Sequence, residues 1–237
     1  MDIKINHLVK AYDQIVLDHI SLNVSSYKSL AIIGQSGCGK STLLRMMTGI
    51  EKSDGGKIEI NKHDLGIEEI SSYQKSISMV FQKHNLFPHL TLKDNITLIL
   101  NKIHKMGKEE ADQRAVDLFK RLQLEAHMHK KPDQVSGGQA QRASIARALS
   151  TEPEIIFMDE PTAALDPILT KEVLETVKNL KANGTQFVFV THELNFARQF
   201  ADYVVFMDKG KIVEEGPDIL FQPSTDALKL FLENERG

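Results

Sequence analysis

Ser29-Leu30-Ala31-Ile32-Ile33-Gly34-Gln35-Ser36-Gly37-Cys38-Gly39-Lys40-Ser41-Thr42 is the stretch on which the fold turns. Residues 29–34 form a short apolar run that ends in glycine, and Leu43, Leu44 and Met47 then recur at helical spacing. Between the predicted strand and helix, residues 34–41 match GxxxxGK[ST], in the one context where that match carries chemical meaning. Its glycines, Gly34, Gly37 and Gly39, let backbone N–H groups turn inward around phosphate oxygens, and the helix starting near Lys40 adds the positive end of its dipole. Lys40 is placed to reach β and γ phosphates, and the Ser41 hydroxyl to ligate Mg²⁺. Gln35, Ser36, Cys38 and Thr42 complete the expected contact set of the loop.

Two further segments gain meaning from this loop. In Ile155-Ile156-Phe157-Met158-Asp159-Glu160, four apolar residues deliver two carboxylates to a strand end, the edge at which open parallel sheets bind ligands. An acidic pair there is commonly just a solvated ending; with a phosphate loop upstream, Asp159 reads as a Mg²⁺ ligand and Glu160 as the group that polarises an attacking water. Val135-Ser136-Gly137-Gly138-Gln139 precedes a helix running to Leu149, with Ile145, Ala146 and Leu149 on one side. Ser136 is a natural N-cap, and the glycines leave the first helical N–H groups unshielded, so a second anion site is expected. Two such sites in one chain are both used if two copies pair head to tail.

Apolar and polar residues alternate over 2–9 and 15–24, with Tyr12-Asp13-Gln14 between, which predicts an antiparallel β layer. Strand-like runs follow at 57–60 and 76–81, and residues 92–149 then read as mostly helical, with Ala115, Leu118, Phe119 and Leu122 on one face. Runs of β type return at 155–159, 185–191 and 203–207, separated by predicted helices at 167–181 and 193–201. Alternating strands and helices imply a largely parallel sheet covered on both faces, and Asp208-Lys209-Gly210 predicts a hairpin into 211–215. The expectation is a single α/β domain, 1–237: a phosphate-loop NTPase core with a mostly parallel sheet (1–84 and 152–237), an N-terminal antiparallel β layer, and an inserted helical subdomain (85–151).

Composition narrows the classes. A formal net charge of -3 gives no general attraction to nucleic acid or anionic lipid. The longest apolar stretches, such as 154–158 and 187–190, fall far short of the ~20 residues a bilayer-crossing helix needs, so a membrane role is expected to come through a partner. The first six residues lack the features of a secretion signal, which predicts a cytoplasmic chain. Cys38 is the only cysteine, excluding an internal disulfide and a thiolate zinc site.

With these motifs in this order, the sequence resembles the ATP-binding-cassette ATPases over essentially its whole length. The family signature is usually LSGGQ, where this chain has Val135, and a later loop usually written SALD, where it has Ala164-Leu165-Asp166. The resemblance implies ATP and Mg²⁺ as ligands and a homodimer clasping nucleotide between the phosphate loop of one copy and Ser136, Gly137, Gly138 and Gln139 of the other. It further implies that Tyr12 stacks on adenine, that Gln82 approaches Mg²⁺ and the attacking water, that Asp166 communicates across the dimer, and that His192 contacts the γ phosphate. Residues 81–91, Thr191 to Arg198, Phe206-Met207-Asp208 and Glu214-Glu215-Gly216-Pro217 look like the polar-amino-acid branch of bacterial import ATPases. That implies integral permease subunits as partners, an extracytoplasmic solute-binding protein acting indirectly, no nucleic acid, and a position on the inner face of the cell membrane. Phe87, Pro88 and Leu90 are the expected seat of a short permease helix. The competing expectations are a non-transport ATPase of the same fold, for example in cell division, and an unrelated phosphate-loop kinase.

Overall fold

A computed structural model describes residues 1–66, 70–162 and 167–235. The alternating N-terminal segments form β1 (Asp2–Ala11) and β2 (Ile15–Ser25), paired antiparallel from Asp2↔Ser25 to Ala11↔Ile15. On the other edge of β1 lies β4 (Gly55–Ile60), followed by β5 (His63–Asp64), giving a four-stranded antiparallel layer in the order β2-β1-β4-β5.

The second sheet is built around β3 (Ser29–Gly34), every residue of which is buried. It runs parallel to β8 (Gln186–Val190) on one side and to β9 (Tyr203–Asp208) on the other. Beyond β8 come β7 (Ile155–Asp159) and β6 (Ile77–Val80), also parallel, while β10 (Lys211–Gly216) closes the far edge as the antiparallel hairpin partner of β9. The resulting order is β10-β9-β3-β8-β7-β6.

A strand buried on both faces must serve two cores, because successive side chains point opposite ways. Leu30 and Ile32 of β3 pack with Leu43, Leu44 and Met47 of α1 (Lys40–Met47) and with the antiparallel layer. Ala31 and Ile33 face the other way, into a core shared with Val173 and Val177 of α6 (Pro167–Ala182), Phe196 and Phe200 of α7 (Leu194–Phe200) and Phe231 of α8 (Asp226–Asn234). Phe189 and Phe196 meet edge to face there at 4.8 Å, the arrangement that aromatic quadrupoles favour.

The inserted helices carry their own core. Leu92, Ile96 and Leu100 of α3 (Leu92–Lys102) meet Ala115, Leu118 and Phe119 of α4 (Lys108–Arg121), with Ala143 and Ala146 of α5 (Gly137–Leu149) completing it. Helix α5 also places Ile145 and Ala148 in the sheet's core, so it is the element that spans both packing units.

Several details differ from the sequence expectation. Ser76, expected in a strand, ends α2 (Ile70–Ser76), and β6 stops at Val80 rather than Phe81. Helix α2, the two-residue β5 and helix α8 had no predicted counterpart. Among the described residues no helix is long and apolar enough to cross a membrane.

Candidate nucleotide site

Parallel pairing puts the carboxyl ends of β3, β6, β7 and β8 on one edge of the sheet. The phosphate loop leaves β3, Asp159 ends β7, His192 follows β8 by two residues and Gln82 follows β6 by two. In register, Val80 lies beside Met158 and Asp159 beside Val190, which sets the exposed Gln82 at the same level of the edge as the carboxylate pair.

Two of the loop's glycines, Gly34 and Gly39, are demanded by packing. A Cβ on Gly34, whose φ is 147°, would sit 2.1 Å from the Met207 carbonyl oxygen. One on Gly39, φ 105°, would sit 2.7 Å from Leu17 Cδ2 and 2.9 Å from the Val16 carbonyl. Gln35, Ser36 and Gly37 form the exposed crest of the loop. Beneath it the ammonium of the buried Lys40 donates to the Gly34 and Gln35 carbonyls, each at 2.8 Å. Cys38 is buried beside that ammonium, and burial pushes its thiol up, away from thiolate chemistry. The cavity in front of the loop measures about 170 Å³ and has Ser36, Lys40, Ser41, Thr42 and Glu160 among its walls.

Ser41 and Asp159, remote in sequence, meet here: the Ser41 hydroxyl donates to Asp159 Oδ1 at 3.0 Å. Burial raises the Asp159 carboxyl above the ordinary aspartate range, and the neighbouring Glu160 charge adds to this, against the Ser41 hydrogen bond and the charges of Arg45 and Lys40. Among the described residues there is no cluster of three His, Cys, Asp or Glu able to cage a metal. One hydroxyl and one carboxylate is instead the donor set of Mg²⁺, which takes one or two protein ligands and completes its shell with phosphate oxygens and water.

Glu160 adopts φ 47°, a left-handed conformation costly for a side chain of its kind, and its N–H donates to the Val190 carbonyl at 2.9 Å. The turn carries its carboxylate to the cavity, where Oε1 lies 3.5 Å from His192 Nδ1. Thr191 steadies that histidine's backbone: its N–H donates to the Ile32 carbonyl at 3.2 Å and its hydroxyl accepts from Glu193 N at 3.0 Å.

Ser136, Gly137, Gly138 and Gln139 are not among the residues enclosing this cavity. They form the start of α5, where Ser136 Oγ accepts from Gln139 N at 3.2 Å and Gln139 Oε1 accepts from Ser136 N at 3.0 Å, a reciprocal capping box. The Gln139 amide nitrogen also meets His127 Nε2 at 3.2 Å, so this side chain is committed within its own lobe. Tyr12 is 57% exposed and its hydroxyl donates to Glu51. Asp166 lies outside the described residues, as do Ala164 and Leu165.

One group of residues escaped the sequence reading. The segment after Gln82 is fastened to α5: Ser144 Oγ donates to the His84 carbonyl at 3.1 Å, Arg147 donates to the Asn85 carbonyl at 2.7 Å, and the His84 ring bonds the Gln141 side chain. Burial lowers the Arg147 pKa. No local pattern announces such pairs, because their members stand about sixty positions apart.

Comparison with known proteins places this geometry. Residues 17–163 match the family model described as ABC transporter. The glutamate transport ATP-binding protein GluA of Corynebacterium efficiens is 44% identical over 97% of this chain and 97% of its own length. The arginine transport ATP-binding protein ArtM of Bacillus subtilis is 40% identical over 98% of each. A dimeric structure of the post-hydrolysis state of the ATP-binding cassette MJ0796, bound to ADP and Pi, is 32% identical, with a TM-score of 0.79 over 91% of this chain and 98% of that one. The loop that buries Lys40, the strand that brings Asp159 to Ser41 and the capped start of α5 are thus features of a chain that belongs to the ABC transporter family, as an ATP-hydrolysing ATP-binding subunit.

Proposed function

We propose that two copies of this chain clasp two Mg·ATP and that hydrolysis drives import of a small polar solute, an amino acid, through membrane partners. The observation that carries the chemical part is the Ser41–Asp159 hydrogen bond, which sets two of the three expected magnesium-site residues side by side next to the Lys40 loop, with Glu160 on the cavity wall. Residues 34–42 would hold the triphosphate through backbone N–H groups and the Lys40 ammonium. Magnesium, bound by Ser41 and Asp159 with Gln82 nearby, would supply positive charge to the β and γ oxygens. Glu160 would accept a hydrogen bond from the attacking water, and His192, 3.5 Å from it, would steady the γ phosphate and the orientation of that carboxylate. Ser136, Gly137 and Gly138 of the partner copy would present the free N–H groups of α5 to the same phosphate, with Asp166 acting across the pair. Chemistry then waits on closure, and loss of the γ phosphate removes the contact joining the halves.

Glu160→Gln tests this directly. The variant is expected to bind Mg·ATP with near-native affinity while kcat falls by at least about 100-fold. Turnover at wild-type rate by that variant would remove Glu160 from its role.

Import of an amino acid is supported by relatives named for glutamate and arginine transport that match this chain almost end to end. A groove of about 500 Å³ between the two packing units, walled by Ile50, Met79, Phe81, Ile99 and Ile103, suits a short apolar element of a permease. Phe87, Pro88 and Leu90, the expected seat, are not among its walls; Phe87 instead bonds through its backbone to Asn95. A chain working in this way sits on the inner membrane surface as a peripheral subunit. Uptake of labelled amino acids in a deletion strain, and co-purification with a multi-spanning protein, are the measurements. Wild-type uptake of every amino acid tested, with capture of a division protein instead, would favour the non-transport alternative.

A further inference from the structure

Tyr12 follows β1 as an exposed ring, yet it is held from two sides. Its hydroxyl donates to a Glu51 carboxylate oxygen, and Glu51 raises the phenol pKa above the ordinary tyrosine value. Lys10 covers one face, with Nζ 5.3 Å from the ring centroid. That ammonium is itself fixed: it donates to the Lys52 carbonyl at 2.9 Å and stands 3.6 Å from Glu51 and 3.3 Å from Asp54. Asp54 in turn accepts the Ala11 N–H at 2.7 Å. The bracket is anchored on the phosphate-loop helix, since the Glu51 N–H donates to the Arg45 carbonyl of α1 at 3.2 Å.

A tyrosine on a surface ordinarily samples several rotamers, and a ligand that stacks on it must freeze them. Here the ring is fixed beforehand, one face is taken by a cation, and its distance from the phosphate-binding residues is set by α1. What such a platform selects is a flat aromatic ligand on the free face at a fixed reach from a phosphate chain.

We propose that Glu51 is a positioning residue for the nucleotide base: it orients Tyr12, with Lys10 as backing, and so adds affinity that depends on the base and not on the phosphates. This rests on the reading of Tyr12 as the base platform.

The test uses the purified full chain with Mg²⁺ and two probes, ATP and inorganic tripolyphosphate, by calorimetry. Glu51→Ala and Tyr12→Phe are each expected to weaken ATP by about 2- to 10-fold, the loss of one preorganised side chain. Their combination should be no worse than either alone, since both remove one contact. Tripolyphosphate affinity should stay at the wild-type value, and Glu51→Ala should raise KM for ATP with kcat held. Glu51→Gln, which still accepts the phenol proton, should recover most of the loss. Equal weakening of both probes, or wild-type ATP affinity in both Glu51→Ala and Tyr12→Phe, overturns the proposal. Tyr12→Ala separates the two levels: wild-type ATP affinity there defeats the platform itself. Weakened ATP binding by Tyr12→Ala, with Glu51→Ala and Tyr12→Phe unaffected, defeats only the role of Glu51.

Discussion

At the scale of single residues, the site sets function against stability most visibly at Glu160. Its φ of 47° places a side chain in a region that costs roughly 1–2 kcal/mol, and its carboxylate stands beside the half-buried Asp159, whose pKa is raised by partial burial first and by Glu160 second. Both penalties vanish on substitution by glycine. Glu160→Gly is therefore expected to melt at or above the wild-type temperature, by up to about 8 °C at 2–4 °C per kcal/mol for a chain of this size, while ATP turnover is lost. Glu160→Ala removes the charge and keeps the backbone strain, so calorimetric melting of the pair separates the two costs; a Gly variant melting below the Ala variant would contradict the strain argument. That Glu160 and Asp159 belong to one site was legible from an apolar run ending in two carboxylates downstream of a phosphate loop. The left-handed turn at Glu160 was not, because nothing local distinguishes a strand that stops from one that turns its last carboxylate onto a cavity.

At the scale of elements, α5 carries two duties that can be separated. Its first turn is capped reciprocally by Ser136 and Gln139, and its body joins the helical core to the sheet through Ala146 on one side and Ile145 on the other. Ser136→Ala is expected to cost about 0.5–2 kcal/mol, read as a melting point lower by a few degrees. Ser136→Asp restores the cap, because aspartate is as good an acceptor for the helix N–H groups, but it sets a carboxylate where the partner's phosphate is proposed to bind. The Asp variant should thus melt near the wild type and still fail to hydrolyse ATP, whereas a helix end with only a structural role would leave activity intact in it. Ser136 as cap followed from its place before two glycines, and so did most strands and helices, whose apolar periods match their burial. The misses have physical causes. In α2, Tyr73 is the buried side chain amid Ser71, Ser72, Gln74 and Lys75, too sparse a pattern to show a period, and β5 is two residues long.

At the scale of the whole molecule, the sheet order β10-β9-β3-β8-β7-β6 could not be read from the chain, because parallel neighbours are chosen by crossovers and packing rather than by adjacency in sequence. What the chain did disclose is an incompleteness: two helix starts suited to anions, of which only the loop start borders the cavity containing Lys40 and Glu160. A second copy, turned head to tail, resolves it, and the geometry makes the arrangement testable. Cys38 is the only cysteine and is buried, so a Cys38→Ser, Ser136→Cys chain in the Glu160→Gln background carries one label site, at the start of α5. With a short photoactivated crosslinker on that thiol and an equal mixture of light and isotopically heavy chains, Mg·ATP should yield light–heavy products mapping to residues 34–42. Without nucleotide those products should disappear, because the γ phosphate is the contact that holds the halves. Products confined to light–light and heavy–heavy pairs within single copies, or the same yield with and without ATP, would mean that α5 never reaches a neighbouring loop, and the shared-nucleotide mechanism would have to be abandoned.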